Sequence, residues 1–298
     1  MSLNKPIWKL RDWIDKDKIN WVYLSKNKNA LSLLENNLNK ICWLFLSINE
    51  NAIHLLEKNL NKIDWVYLSK NHNALSIIEK NLDKVKMSEL SRNPNALHLI
   101  KKNLDKIKID WNGLSENENA IHLIEKNLDK IDWNYLSKNP NALHLLEKNL
   151  NKINWYYLSS NPKAVYLLEK NLDKIDWKGL SRNPNALHLI EKNLDKIDWN
   201  SLSLNPNALH LLEKNLNKIN WSYLCLNPNS MNLLSKNKHM INWSFFSTNP
   251  SIFELDYENM SKNEVHMNLY EELIKEVMKP SRVFKNPDYD YIEELFDY

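Results

Sequence analysis

Asp176-Trp-Lys-Gly-Leu-Ser-Arg-Asn-Pro-Asn-Ala-Leu-His-Leu-Ile-Glu-Lys-Asn-Leu-Asp-Lys-Ile197 is the stretch from which the fold is read. Counting Asp176 as position 1, this 22-residue unit contains two helix signals. Asp176 is a suitable N-cap, and Trp177 with Leu180 at i, i+3 gives a short first helix one apolar edge. Asn183-Pro184 is a stronger start signal, because asparagine accepts from orphan amides and proline at the first helical position loses no needed donor. A second helix is therefore expected from Pro184, with Ala186, Leu187, Leu189, Ile190 and Leu194 as its apolar stripe and Asn185, His188 and Lys192 opposite. Asn193 is expected to end it in the left-handed conformation that glycine usually supplies.

Outward from this copy, tryptophan marks the same position at Trp21, Trp43, Trp65, Trp111, Trp133, Trp155, Trp177, Trp199, Trp221 and Trp243. Met87 takes its place in the fourth copy, where Lys108-Ile109 is an apparent insertion before Trp111. The count is eleven copies, the last one degenerate. A unit this small cannot bury its stripe alone, so neighbours must stack around one continuous core. The expected class is all-α, an α-solenoid of two-helix repeats, because a parallel β-helix needs glycine-rich turns and β-branched alternation that are absent here. At roughly 10 Å per layer, the array is expected to be a curved rod on the order of 100 Å long.

The flanks divide the chain further. Asp17-Lys18-Ile19 matches the close of a repeat, so residues 1–19 are expected to cap the amino end of a solenoid at 20–250, irregular at 87–111. Residues 251–298 are expected to form a carboxy-terminal cap, with an amphipathic helix from Tyr270 to Met278 and an acidic tail. From Glu254 to Tyr298 there are 12 acidic and 5 basic side chains, net −7, against +3 for the 298-residue chain, so the remainder carries +10.

Composition narrows the function classes. The 2 glycines, Gly113 and Gly179, are too few for a tightly turned β fold or a phosphate-cradling loop. Cys42 and Cys225 lie at different repeat positions about eight copies apart, which points to a reducing compartment. No signal-peptide core and no membrane-length apolar run is present, so a soluble intracellular protein is expected.

The histidine ladder His54, His98, His122, His144, His188 and His210 invites a metal proposal, but equivalent residues lie a helix spacing apart, too far to share one ion. The ladder is read as polar contacts between copies. No nucleophile-base pair, paired carboxylate, Cys-x-x-Cys or phosphate loop stands apart from the repeats. We therefore expect no enzyme, no cofactor and no metal.

The informative positions are those that vary while the scaffold is kept. Position 4 carries Tyr23, Phe45, Tyr67, Glu89, Gly113, Tyr135, Tyr157, Gly179, Ser201, Tyr223 and Phe245. Position 7 carries Lys26, Ile48, Lys70, Arg92, Glu116, Lys138, Ser160, Arg182, Leu204, Leu226 and Thr248. The two sets sit at i, i+3 and make one stripe along the first helices. The candidate binding residues are Tyr23, Lys26, Phe45, Tyr67, Lys70, Arg92, Tyr135, Lys138, Tyr157, Arg182 and Tyr223. Rings beside lysines suit base stacking and phosphate contact, so single-stranded nucleic acid is the alternative partner. Glu89, Glu116, Leu204 and Leu226 interrupt the basic stripe, which favours a protein partner. No membrane partner is expected.

The unit Ile-Asp-Trp-x-x-Leu-Ser with Asn-Pro-Asn-Ala-Leu-His-Leu-Leu-Glu-Lys-Asn-Leu, seen at 132–153 and 198–219, resembles the short asparagine-rich helical repeats of giant, mimivirus-like DNA virus proteins. The resemblance covers about residues 17–250, and Lys279-Pro280-Ser281-Arg282-Val283 is similar to a segment that ends many such proteins. It implies a viral product made in host cytoplasm, or packaged in the virion, acting as an interaction scaffold. It supplies no catalytic residues.

Overall fold

The computed structural model describes residues 6–103 and 109–261; the expected helix at Tyr270 to Met278 and the acidic tail fall outside them. The chain divides into two compact units, Arg11–Phe253 and a unit made of both chain ends, Met1–Leu10 with Glu254–Tyr298. Two short strands, Trp8–Leu10 and Phe253–Leu255, form the sheet among the described residues. In the unit of the chain ends, Lys9 lies 3.7 Å from Glu254 and the Asp256 amide donates to the Ile7 carbonyl.

The unit Arg11–Phe253 is a helical repeat solenoid. In the eighth copy the first helix is Trp177–Arg182, and the Asp176 carboxylate accepts from the Gly179 amide at 2.8 Å as the N-cap. The second helix is Leu187–Glu191, so it begins three residues later than Asn183-Pro184 suggested. Asn183 does act as a turn former, since its Oδ1 accepts from the Asn185 amide at 3.0 Å. A third helical piece, a 3₁₀ turn such as Leu172–Lys174 in the seventh copy, closes most units.

Two expectations about that closing turn are corrected. No residue, glycine included, adopts positive φ among the described residues, and Asn171 sits at φ −137 and ψ 51. Asn193 ends its helix through its side chain instead, donating Nδ2 to the Leu189 carbonyl at 2.9 Å, which satisfies an orphan acceptor without a left-handed residue. Leu194 leaves the core stripe and is exposed, as are Leu38, Leu60, Leu128, Leu172 and Leu216 at the same position. The chain has already turned away from the core there.

Position 8 joins the copies. The Asn205 Nδ2 donates to the carbonyls of Ser181 at 3.1 Å and Asn183 at 3.0 Å, one copy back. The same pair of bonds recurs at Asn49, Asn71, Asn93, Asn117, Asn139, Asn161, Asn183, Asn227 and Asn249. Each amide is buried, so its two donors satisfy carbonyls that water cannot reach. A second link runs through position 6, where the Ser181 hydroxyl accepts from the Asp198 amide of the next copy at 3.0 Å.

The ladder does not stop at the ends. Asn27, in the first copy, donates Nδ2 to the carbonyls of Ser247 at 3.0 Å and Asn249 at 2.9 Å, in the eleventh. The Asn20 amide meets the Ser247 hydroxyl at 2.9 Å. The array is therefore a closed ring, and the open rod is corrected. Closure needs about 33° of rotation per copy, a modest value for a repeat stack.

The eleventh copy is degenerate in sequence because it is assembled from both ends of the unit. Residues 242–253 supply its first half and Arg11–Ile19 its second. The Arg11 amide donates to the Ile252 carbonyl at 3.0 Å, the bond that Leu189 makes to Ala186 within the eighth copy. Lys18 lies 5.8 Å from the Trp243 ring, as Lys40 lies over Trp21 at 4.3 Å and Lys218 over Trp199 at 4.5 Å. Trp13 packs on Phe246 with ring centroids 5.7 Å apart. Residues 11–19 thus finish a repeat and leave no free end of the array to cover.

The fourth junction departs from the rest. Residues 104–108 lie outside the described set, and the difference at this junction is seen at Ser91. Its buried hydroxyl has no partner among the described residues, whereas Ser69 and Ser115 each receive the amide that opens the next copy.

Candidate functional site

On a short helix at 100° per residue, positions 5 and 6 face the core, as fully buried Leu180 and Ser181 do. Positions 4 and 7 lie on the opposite side, half-buried or exposed except at Gly113, Gly179 and Ser201, which are buried against the neighbouring first helix. Among helices of different copies, those packed most extensively are first helices, in copies three to six, in copies seven to nine, and from copy ten through eleven across the seam, where Trp21–Leu24 meets Trp243–Ser247. In a closed ring the more crowded layer is the inner one. Positions 4 and 7 therefore line the inner wall. At roughly 9 Å between axes, eleven helices place their axes on a circle about 30 Å across and leave an opening on the order of 20 Å.

The wall side chains meet one another across copies. Tyr23 stacks on Phe45 with centroids 5.5 Å apart, and Phe45 meets Tyr67 edge-on at 5.8 Å. Lys70 reaches Glu89 at 3.4 Å, Arg92 reaches Glu116 at 3.3 Å, and Lys138 reaches the same Glu116 at 3.4 Å. Lys138 also lies over Tyr135 at 5.1 Å and over Tyr157 at 4.5 Å. The Arg92 guanidinium passes over the fifth copy to the Tyr135 ring, 5.2 Å away, because Gly113 leaves the space between them open.

Both glycines serve this wall. A Cβ on Gly113 would lie 2.7 Å from the Ser88 carbonyl oxygen, and one on Gly179 would overlap that of Tyr156. The helices approach more closely there than where tyrosine stands at position 4.

The structure thus brings together Tyr67 with Lys70 and Tyr135 with Lys138 and Tyr157, and it joins Lys70, Arg92 and Lys138 to carboxylates. Lys26 is exposed and has no carboxylate within ion-pair reach among the described residues. Arg182 donates Nε to the Ser201 hydroxyl at 3.3 Å. Tyr223 and Phe45 share the half-buried wall.

The histidine ladder lies on the second helices and joins copies in pairs. His144, His188 and His210 each meet the glutamate one copy back, Glu125, Glu169 and Glu191, at 2.8 Å. The hydrogen bond from His144 holds the Glu125 carboxyl below its ordinary value. Tyr166 takes the histidine place against Glu147, and burial followed by that hydrogen bond raises its phenol pKa. His98 differs, contacting the Asn95 carbonyl of its own copy. Among the described residues no group of His, Cys, Asp and Glu is arranged to hold a metal ion, and both cysteines are free thiols.

No helix among the described residues is long and apolar enough to cross a membrane. Comparison with protein-family models, curated proteins and solved structures found no match.

Sequence reasoning missed position 3. Val22, Leu44 and Val66 are exposed there in three successive copies. The signal was present, because seven of the other eight copies carry Ser, Asn or Lys at that place and the eighth carries Tyr156.

Proposed function

We propose that the ring is a non-enzymatic interaction module that holds a protein segment against the inner wall of its first helices. One observation carries this reading: the scaffold repeats its core, its asparagine ladder and its caps from copy to copy, while the wall residues differ. Variation confined to one face of a constant frame is what recognition of a non-repeating partner requires. Protein is favoured over nucleic acid because Lys70, Arg92 and Lys138 are matched to Glu89 and Glu116. A phosphate tracker needs a continuous run of free cations, whereas of the five wall cations three are matched and Lys26 and Arg182 stand in copies far apart.

The resemblance to giant-virus repeats supports a role in the virus particle or in the cytoplasm of the infected host cell. Assaying purified virions against infected-cell lysate for the intact chain separates those two settings. The binding mode is tested by measuring association with peptides and with single-stranded RNA and DNA across a salt series. Peptide binding lost in Tyr135→Ala/Lys138→Ala supports the wall as the site. Oligonucleotide binding that weakens steeply with salt, without peptide binding, overturns the reading in favour of single-stranded nucleic acid.

A further inference from the structure

The wall is not uniform, and the first three copies stand out. Val22, Leu44 and Val66 follow one another at position 3, with 46%, 39% and 42% of their surface exposed. Each has a neighbour one helical turn on, and in the second copy that neighbour is Ile48, so Leu44 and Ile48 share one face. Next to them runs the ring stack Tyr23, Phe45 and Tyr67. Single exposed apolar side chains are ordinary, but a contiguous run of them on adjacent copies is not.

In the sixth and ninth copies the same position serves the scaffold: Asn134 accepts from Asn154 at 2.9 Å, and Asn200 accepts from Asn220 at 2.9 Å. Valine and leucine give up that bond and gain no burial in exchange.

The copies that carry the patch also carry unmatched lysines. Lys26 is exposed beside it, and Lys40, Lys62 and Lys84 hold their ammonium groups over the rings of Trp21, Trp43 and Trp65 at 4.3, 4.6 and 5.2 Å. None of these four has a carboxylate within ion-pair reach among the described residues. Five of the six acidic groups of the same copies have partners: Glu35 with His54, Glu50 with His72, Glu79 with Lys102, Glu57 with the Ser76 hydroxyl, and Asp64 as the cap on the Tyr67 amide.

We propose that this patch, centred on Leu44, is the docking site for a protein segment that carries large apolar side chains flanked by aspartate or glutamate. The inference rests on the protein-binding reading above and narrows it to copies one to three. The apolar side chains of the partner cover Val22, Leu44, Val66 and Ile48, and its carboxylates meet Lys26 and the tryptophan-bound lysines.

The test selects phage-displayed random 16-residue peptides on the full-length chain and measures the enriched ones as synthetic peptides by fluorescence anisotropy. The main variant is Val22→Ser/Leu44→Asn/Val66→Ser, which installs residues that other copies already carry, and its thermal unfolding is compared with wild type. Lys26→Glu is the second variant, in case the first does not fold. The expected result is enrichment of acidic-apolar peptides that lose at least tenfold in affinity on the triple variant and several-fold on Lys26→Glu at low salt. Peptides that bind both variants as tightly as wild type, or that are basic or lack apolar residues, overturn this site while leaving a protein-binding ring. A chain that enriches no peptide yet binds oligonucleotides overturns both.

Discussion

The seam between the eleventh and first copies and the junction between the eighth and ninth are built from the same contacts, although only the second is covalently continuous. At the seam Asn27 donates to Ser247 and Asn249 at 3.0 and 2.9 Å, and inside the array Asn205 donates to Ser181 and Asn183 at 3.1 and 3.0 Å. The amide that opens the next copy meets a serine hydroxyl at 2.9 Å in one and 3.0 Å in the other. An open solenoid is a linear chain of nearest-neighbour couplings with two weak ends. Here the last coupling is made, so every copy of the ring has two neighbours.

Breaking the seam outright has the largest expected effect. Deleting residues 1–19 removes Arg11–Ile19 from the composite copy and exposes two ends that the intact ring does not have. Loss of several kcal/mol is expected, with hydrogen-exchange protection falling first in copies eleven and one. Unchanged protection in those two copies would show that closure adds nothing.

A finer comparison sets Asn27→Ala beside Asn205→Ala. Each strands two buried carbonyls, so each is expected to cost about 2–4 kcal/mol in denaturant unfolding. Equal losses mean that the seam is as tight as the interior, and a much smaller loss for Asn27→Ala means that it breathes.

The irregular fourth junction gives a smaller contrast. Ser181→Ala removes a hydroxyl that bonds Trp177 and Asp198 and is expected to cost about 1–2 kcal/mol, while Ser91→Ala removes a buried hydroxyl with no partner among the described residues and is expected to stay within about 0.5 kcal/mol of wild type. Calorimetry of the pair decides it.

The smallest effect concerns Cys225, which replaces the position-6 serine. Burial pushes its thiol pKa up to about 11 from 9.0, so the folded state keeps the proton where the unfolded state has lost it. The resulting stability is complete below about pH 9 and declines as pH rises toward 11. Cys225 is fully buried and is expected to react with iodoacetamide at pH 8 far more slowly than half-buried Cys42; equal rates would contradict its burial.

Much of this was legible without coordinates. Tryptophan spacing gave the period, Asn-Pro marked the turn before the second helix, and the paired variation at positions 4 and 7 marked one face, because these are local or periodic properties. The role of position 8 was not legible: an asparagine before proline reads as a cap, and its clamp on the preceding copy appears only once two copies are stacked. The same holds for Leu194, whose apolar character suits a helix that has in fact ended.

The amino-acid sequence by itself determined the repeat, its helical class and which positions are free to vary, since each follows from spacing and side-chain chemistry within a copy or two. Only the tertiary structure decided that the array is a ring and that the two ends of the unit share one copy. That outcome depends on a small rotation accumulated over eleven steps. No single repeat encodes it, and it shows itself at the seam, where Asn27 meets Ser247 and Asn249.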